Sequence, residues 1–147
     1  MSKPVAHPAN VAGDFYVEDG CCLSCMIPHE VAPDLMGMTE HHCFVCKQPG
    51  TPEELDRMLQ AFEVQDVECI RYRGTDQFIQ LRLINASAGD QCDELAGELA
   101  TYKQYRSAAT SNRLLASNAD KQVANARAPA VERNIWAVLK SWLNKKS

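Results

Sequence analysis

Apolar residues recur along this chain with two different periods, and each change of period marks a new element. Side chains alternate between faces in a strand and return to the same face after about 3.6 residues in a helix, so spacing alone separates the two. Asp14-Phe15-Tyr16-Val17-Glu18 is a short aromatic and β-branched run closed by Asp19-Gly20, which predicts a first strand ending in a turn. Pro28 suits the first turn of a helix, and His29-Glu30-Val31-Ala32 leaves room for one brief turn before Pro33. His41-His42-Cys43-Phe44-Val45-Cys46-Lys47 predicts a strand, or half of a hairpin that begins near Met38.

The strongest local signal is Thr51-Pro52-Glu53-Glu54: a Thr N-cap, proline at the first helical position, and a glutamate placed to complete a capping box. Leu55, Met58, Leu59 and Phe62 follow at i, i+3, i+4 and i+7, giving one apolar face. Cys69-Ile70-Arg71-Tyr72-Arg73 predicts a further strand and Gly74 a turn. Thr75-Asp76 then opens a helix carrying Phe78, Ile79, Leu81, Leu83 and Ile84. The expected order is strand, cysteine loop, short helix, strand or hairpin, helix, cysteine, strand.

Beyond this point the pattern is helical. From Asp93 to about Arg127 the chain is rich in Ala, Leu, Gln, Lys and Arg, with a weak stripe through Leu95, Leu99 and Tyr102. Ala128-Pro129 breaks it. Val131, Ile135, Val138, Leu139, Trp142 and Leu143 then share the face of a terminal amphipathic helix, with Trp136 beside it and Lys140, Lys145 and Lys146 nearby. Such a helix docks back on its own domain, or binds a protein partner or a membrane surface. The organisation expected is a flexible N-terminus over 1–12, a domain over 13–90, and a helical extension over 91–147.

At 147 residues the chain can bury a core without disulfides. The N-terminus is broken by Pro4 and Pro8 and lacks an apolar stretch of about 7–15 residues, so no signal peptide is expected. Nor does any run of about eighteen apolar residues predict a membrane span. The cytoplasm is the expected location, where clustered cysteines serve metal or redox chemistry. Charge divides the chain: residues 1–80 carry a balance of −8 and residues 81–147 one of +4, within a total of −4. An acidic first half argues against nucleic-acid binding and favours a basic protein partner.

Four of the seven cysteines form two Cys-x-x-Cys pairs, Cys22 with Cys25 and Cys43 with Cys46, separated by seventeen residues. That spacing fits a structural four-cysteine zinc site, in which case the chain would be a zinc-stabilised module that binds a partner through its C-terminal helix. Against zinc, Cys43-Phe44-Val45-Cys46 reads as plain strand, which sends residues three apart to opposite faces. Zinc would also leave Cys69 without a role.

From Tyr16 to Tyr72 the chain resembles the single-cluster bacterial-type ferredoxins. Cys22-Leu23-Ser24-Cys25 stands for the first two ligands of a C-x2-C-x2-C loop, and His29-Glu30-Val31-Ala32-Pro33-Asp34-Leu35 for a short helix ending in Ala-Pro-acid. Cys69 stands for the remote ligand. The third motif cysteine is replaced by Pro28, and Ile70 stands where proline usually follows the remote cysteine. The resemblance implies an α+β ferredoxin-like domain with one iron–sulfur cluster, 4Fe–4S rather than 3Fe–4S, that passes single electrons to a redox partner. It implies Cys22, Cys25 and Cys69 as ligands, with Cys43 in place of the missing cysteine because the family's hairpin strand passes near the cluster; Cys21 is the next candidate. Phe15, Tyr16 and Phe44 are expected in the apolar wall around it.

The remaining features have plainer readings. His41-His42 beside Cys43 is expected to face solvent rather than to ligate, Met26, Met36, Met38 and Met58 to fill the core, and Cys92 to be a small, partly buried residue. No Ser-His-Asp order, phosphate loop or carboxylate pair stands out, so no catalytic site is expected.

Overall fold

The structure, a computed structural model, describes residues 3–116. The expected terminal helix, with Trp136 and Trp142, lies outside the described residues. The protein is mixed α+β, and the expected element order is present. Strand β1 (Phe15–Val17) is followed by the short helix α1 (Ile27–Val31), then by strands β2 (Met36–Met38) and β3 (Cys43–Val45). Helix α2 (Pro52–Val64), strand β4 (Ile70–Tyr72) and helix α3 (Gln77–Asn85) come next, then a 3-10 turn (Gly89–Gln91) and helix α4 (Gly97–Ala116).

The strands form two antiparallel pairs. β1 lies against β4 with Phe15 opposite Tyr72 and Val17 opposite Ile70. β2 and β3 form a hairpin with Met36 opposite Val45 and Met38 opposite Cys43. The turn after β1 passes through Gly20, whose φ of +71° is the left-handed conformation that glycine adopts at least cost. The Thr51 hydroxyl accepts from Glu54 N at 3.2 Å and caps α2. The Glu54 carboxylate accepts from Gly50 N at 2.7 Å and pairs with Lys47 at 2.5 Å.

Two compact units divide the chain. Among the described residues, one comprises 3–75 and 82–94, the other 76–81 and 95–116. In the first, Phe15, Tyr16 and Val17 are buried along all of β1, with Met58, Leu59 and Phe62 of α2 and Ile70 and Tyr72 of β4. The Phe15 ring meets Phe62 edge-on at 6.0 Å and tilts against Tyr72 at 4.8 Å. Tyr16 sends its hydroxyl to Asp93 at 2.7 Å, and Arg71 joins the same carboxylate at 2.9 Å. Burial, then the Asp93 hydrogen bond and charge, push the Tyr16 phenol up to about 12. In the second unit, Leu81 and Leu99 are buried, and the buried Gln80 side chain accepts from Ala96 N at 3.3 Å.

Side-chain amides complete what three-residue strands leave open. Asn10 Oδ1 accepts from Val17 N at 3.0 Å and from Val45 N at 2.9 Å, while its Nδ2 donates to Val17 O at 2.9 Å and His7 O at 2.7 Å. Gln48 grips both polar groups of Phe15, at 3.0 and 2.8 Å. Residues 5–11, expected in a flexible stretch, are therefore tied to the strands. His7 N donates to Val17 O, Asp19 N to Val5 O, and Val11 N to Val45 O.

Candidate metal centre

The loop between β1 and α1 carries Cys21, Cys22 and Cys25, and it is held in an uncommon conformation. Ser24 and Met26 both have positive φ, at 58° and 62°, with Cys25 between them. A non-glycine residue in this region costs about 1–2 kcal/mol, so two within three residues mark a loop shaped by its surroundings. The shape turns Ser24 N toward Cys22 Sγ at 3.3 Å. Cys43 N, from the start of β3, donates to the same sulfur at 3.3 Å. Backbone amides aimed at a thiolate are the arrangement by which proteins set the charge and potential of sulfur-bound iron.

Four cysteines meet at one cleft. Cys22, Cys25, Cys43 and Cys69 line it together with Leu23, Pro28, Gln65, Asp66, Val67 and Ile70. Cys22 Sγ and Cys43 Sγ are 3.0 Å apart. Burial, reinforced by the Cys22 hydrogen bond and by the charges of Cys22 and Cys25, pushes the Cys43 thiol up to about 12. Cys69 enters from the approach to β4 and is disulfide-bonded to Cys21, with their Cα atoms 5.5 Å apart. Its position is set by Gln65 at the end of α2, whose Oε1 accepts from Cys69 N and Ile70 N, each at 2.9 Å.

Cys46 takes no part. The strand places Cys43 on the buried face and leaves Cys46 exposed, its sulfur 3.6 Å from Asp34 O. All four expected ligands thus share a cleft, but Cys69 is bonded to Cys21 here and could act as a thiolate only after reduction. The expected apolar wall differs: Leu23, Pro28, Val67 and Ile70 line the cleft, whereas Phe15 and Tyr16 belong to the core and Phe44 covers Gly37. Met26, expected in the core, is 51 % exposed, and Leu23 beside it 72 %. Cys92 is buried, in an isolated bridge with Tyr72.

The histidine expectation is corrected in one residue of two. His41 is exposed, but His42 is half-buried, stacked on His7 at 4.0 Å, with Nδ1 2.6 Å from Cys43 O. No signal in the sequence linked His7 to His42, because their meeting depends on the N-terminal segment crossing the hairpin. Sequence reasoning also missed Gln65 and Asn10, since lone amides in polar surroundings carry no pattern.

Comparison of the chain with protein-family models, curated proteins and solved structures finds no match. Among the described residues no helix is long and apolar enough to cross a membrane.

Proposed function

We propose that this chain is a ferredoxin-like electron carrier holding one iron–sulfur cluster on Cys22, Cys25, Cys43 and Cys69. The observation that carries the reading is the convergence of these four cysteines, up to 47 positions apart, on one cleft from which Cys46 is turned away. The element order from β1 to β4 supports it further, since it is the order of the family that the sequence resembles.

The donor set suits the group. Soft thiolates hold iron–sulfur clusters, and the bound cluster would supply a one-electron couple spread over iron and sulfur. The Ser24 and Cys43 amides stabilise negative charge on Cys22. Leu23, Pro28, Val67 and Ile70 limit the approach of water. Cys43 must lose its proton to ligate, so loading releases protons. Cys69 becomes available when its bond to Cys21 is reduced, and the Gln65 amide keeps its backbone at the cleft meanwhile. No general acid or base is needed, which agrees with a cleft whose one ionisable group besides the cysteines is Asp66.

Leu23 and Met26 form an exposed apolar edge in an acidic half of the chain, suited to a redox partner with a basic docking surface. The zinc site read from the two Cys-x-x-Cys pairs requires Cys46 in the cleft. Cys46 faces the Asp34 carbonyl instead, and no three cysteines among the described residues bring their ligand atoms within 4.8 Å of one another. Tetrahedral zinc with Zn–S of about 2.3 Å holds every pair of its sulfurs about 3.8 Å apart, which no three cysteines among the described residues satisfy together.

The test is reconstitution of the full chain with iron and sulfide under anaerobic conditions after thiol reduction. The expected product is brown, absorbs broadly near about 400 nm, and bleaches on addition of one electron equivalent. Colourless protein with one zinc per chain would overturn the proposal.

A further inference from the structure

Outside the cysteine cleft, three side chains from three separate segments converge: His7, Asp19 and His42, with their ligand atoms all within 4.8 Å of one another. We propose that they form a second metal site, for a divalent transition cation of the zinc class, independent of the iron–sulfur reading.

The argument starts from a buried nitrogen. His42 Nδ1 lies 2.6 Å from the Cys43 carbonyl oxygen, which can only accept, so the ring proton sits on Nδ1. Nε2 is then an unprotonated lone pair. It is buried and, among the described residues, is the one buried side-chain nitrogen or oxygen without a hydrogen-bond partner. Leaving such an acceptor dry and unpaired is unfavourable, and burial with nothing to bond calls for an explanation. An imidazole whose second nitrogen donates to a carbonyl is also the usual form of a metal-binding histidine, since that bond orients the ring and raises its basicity.

The other two donors are brought to it by main-chain bonds. His7 N donates to Val17 O at 2.9 Å, and Asp19 N to Val5 O at 2.8 Å, so the N-terminal segment pairs with the end of β1 and sets His7 beside Asp19. His42 is held by Thr39, whose hydroxyl accepts from His42 N at 3.0 Å and donates to His42 O at 3.0 Å. The two imidazole planes stack at 4.0 Å with 14° between them. Ala9 N donates to His7 Nδ1 at 3.2 Å, which further fixes the His7 ring.

The donor chemistry selects the cation. Two imidazoles and one carboxylate suit zinc and its first-row neighbours rather than calcium or magnesium, which prefer oxygen donors throughout. Tetrahedral bonds of about 2.0–2.2 Å hold ligand atoms about 3.4 Å apart, so the three donors must draw together by up to about 1.4 Å. Asp19 is exposed and free to turn inward, and His7 is half-exposed. Three protein donors leave a fourth position for water, the arrangement of an open site. The bound cation would clip the N-terminal segment to β1 and to the hairpin that carries Cys43.

The experiment follows the imidazole NMR resonances of the full chain during titration with zinc chloride, a readout that separates this site from thiols that also take zinc. His7 and His42 should shift together and saturate with one common midpoint. In His7→Ala and in Asp19→Asn the His42 resonance should need about tenfold more zinc or beyond, since even partners outside the ligand shell are worth about 10–100-fold. Both substitutions leave the main-chain bonds intact, so folding is retained. Imidazoles that do not move at saturating zinc, or a His42 response unchanged in both variants, would overturn the site. Because the readout is imidazole shift and not colour, its failure is distinct from failure of the iron–sulfur reading.

Discussion

Replacing Asn10 by leucine removes the amide that joins β1 to β3. Val17 N and Val45 N belong to residues with no exposed surface, and each loses its Asn10 acceptor. The carbonyls fare better. Val17 O keeps the bond from His7 N, and His7 O keeps the one from Asn10 N. Leucine fills the volume and excludes water, so two donors are left buried and unpaired, at about 1–3 kcal/mol each, or about 2–6 kcal/mol together. A domain of this size has about 5–15 kcal/mol in total, so the loss is a large part of it. Urea unfolding followed by far-ultraviolet circular dichroism should show the midpoint fall by about 1 M or more, taking a slope of about 1–3 kcal/mol per M. Hydrogen exchange then supplies the residue-level check, with Val17 and Val45 amides losing the most protection. A midpoint within about 0.3 M of wild type, with both amides still protected, would refute the reasoning.

Two other predictions test the cleft and its surroundings. Cys43→Ser should abolish iron–sulfide colour in the reconstituted protein while Cys46→Ser keeps it, measured as iron per chain; equal loss in both would reject the ligand set. Alkaline pH should destabilise the fold, because the Tyr16 phenol and Cys43 thiol are both held near 12, above ordinary values of 10.0 and 9.0. Below about pH 9 both groups are protonated in folded and unfolded chains and their contribution is fully present; between about 9 and 12 only the unfolded chain releases the protons, so stability is lost there. The urea midpoint should be level to about pH 9 and then decline, with a shallower decline in Tyr16→Phe; a midpoint level to about pH 11 contradicts it.

Element type was legible wherever the local signal was complete. Thr51-Pro52 with Leu55, Met58, Leu59 and Phe62 specified the start and the buried face of α2, because cap and periodicity are local. The split between Cys43 and Cys46 was legible for the same reason, since strand alternation alone puts residues three apart on opposite faces. His42 was not: it was read as solvent-facing because its neighbours are polar, yet it is covered by His7, a residue 35 positions away. Met26 was read as core because methionine is apolar, but the loop conformation that serves Cys22 turns it outward.

Periodicity and capping by themselves determined the order of strands and helices, and cysteine spacing pointed to the first half of the chain for the candidate site. Both are local properties, carried by neighbours a turn or a pleat apart. Only the tertiary structure decided which thiols share a cleft, that Cys21 pairs with Cys69, and that Asn10, Gln48 and Gln65 complete the hydrogen bonding of very short strands. It alone also brought His7, Asp19 and His42 together. Such meetings depend on how distant segments cross, and a buried polar group finds its partner by position in space, whatever the separation along the chain.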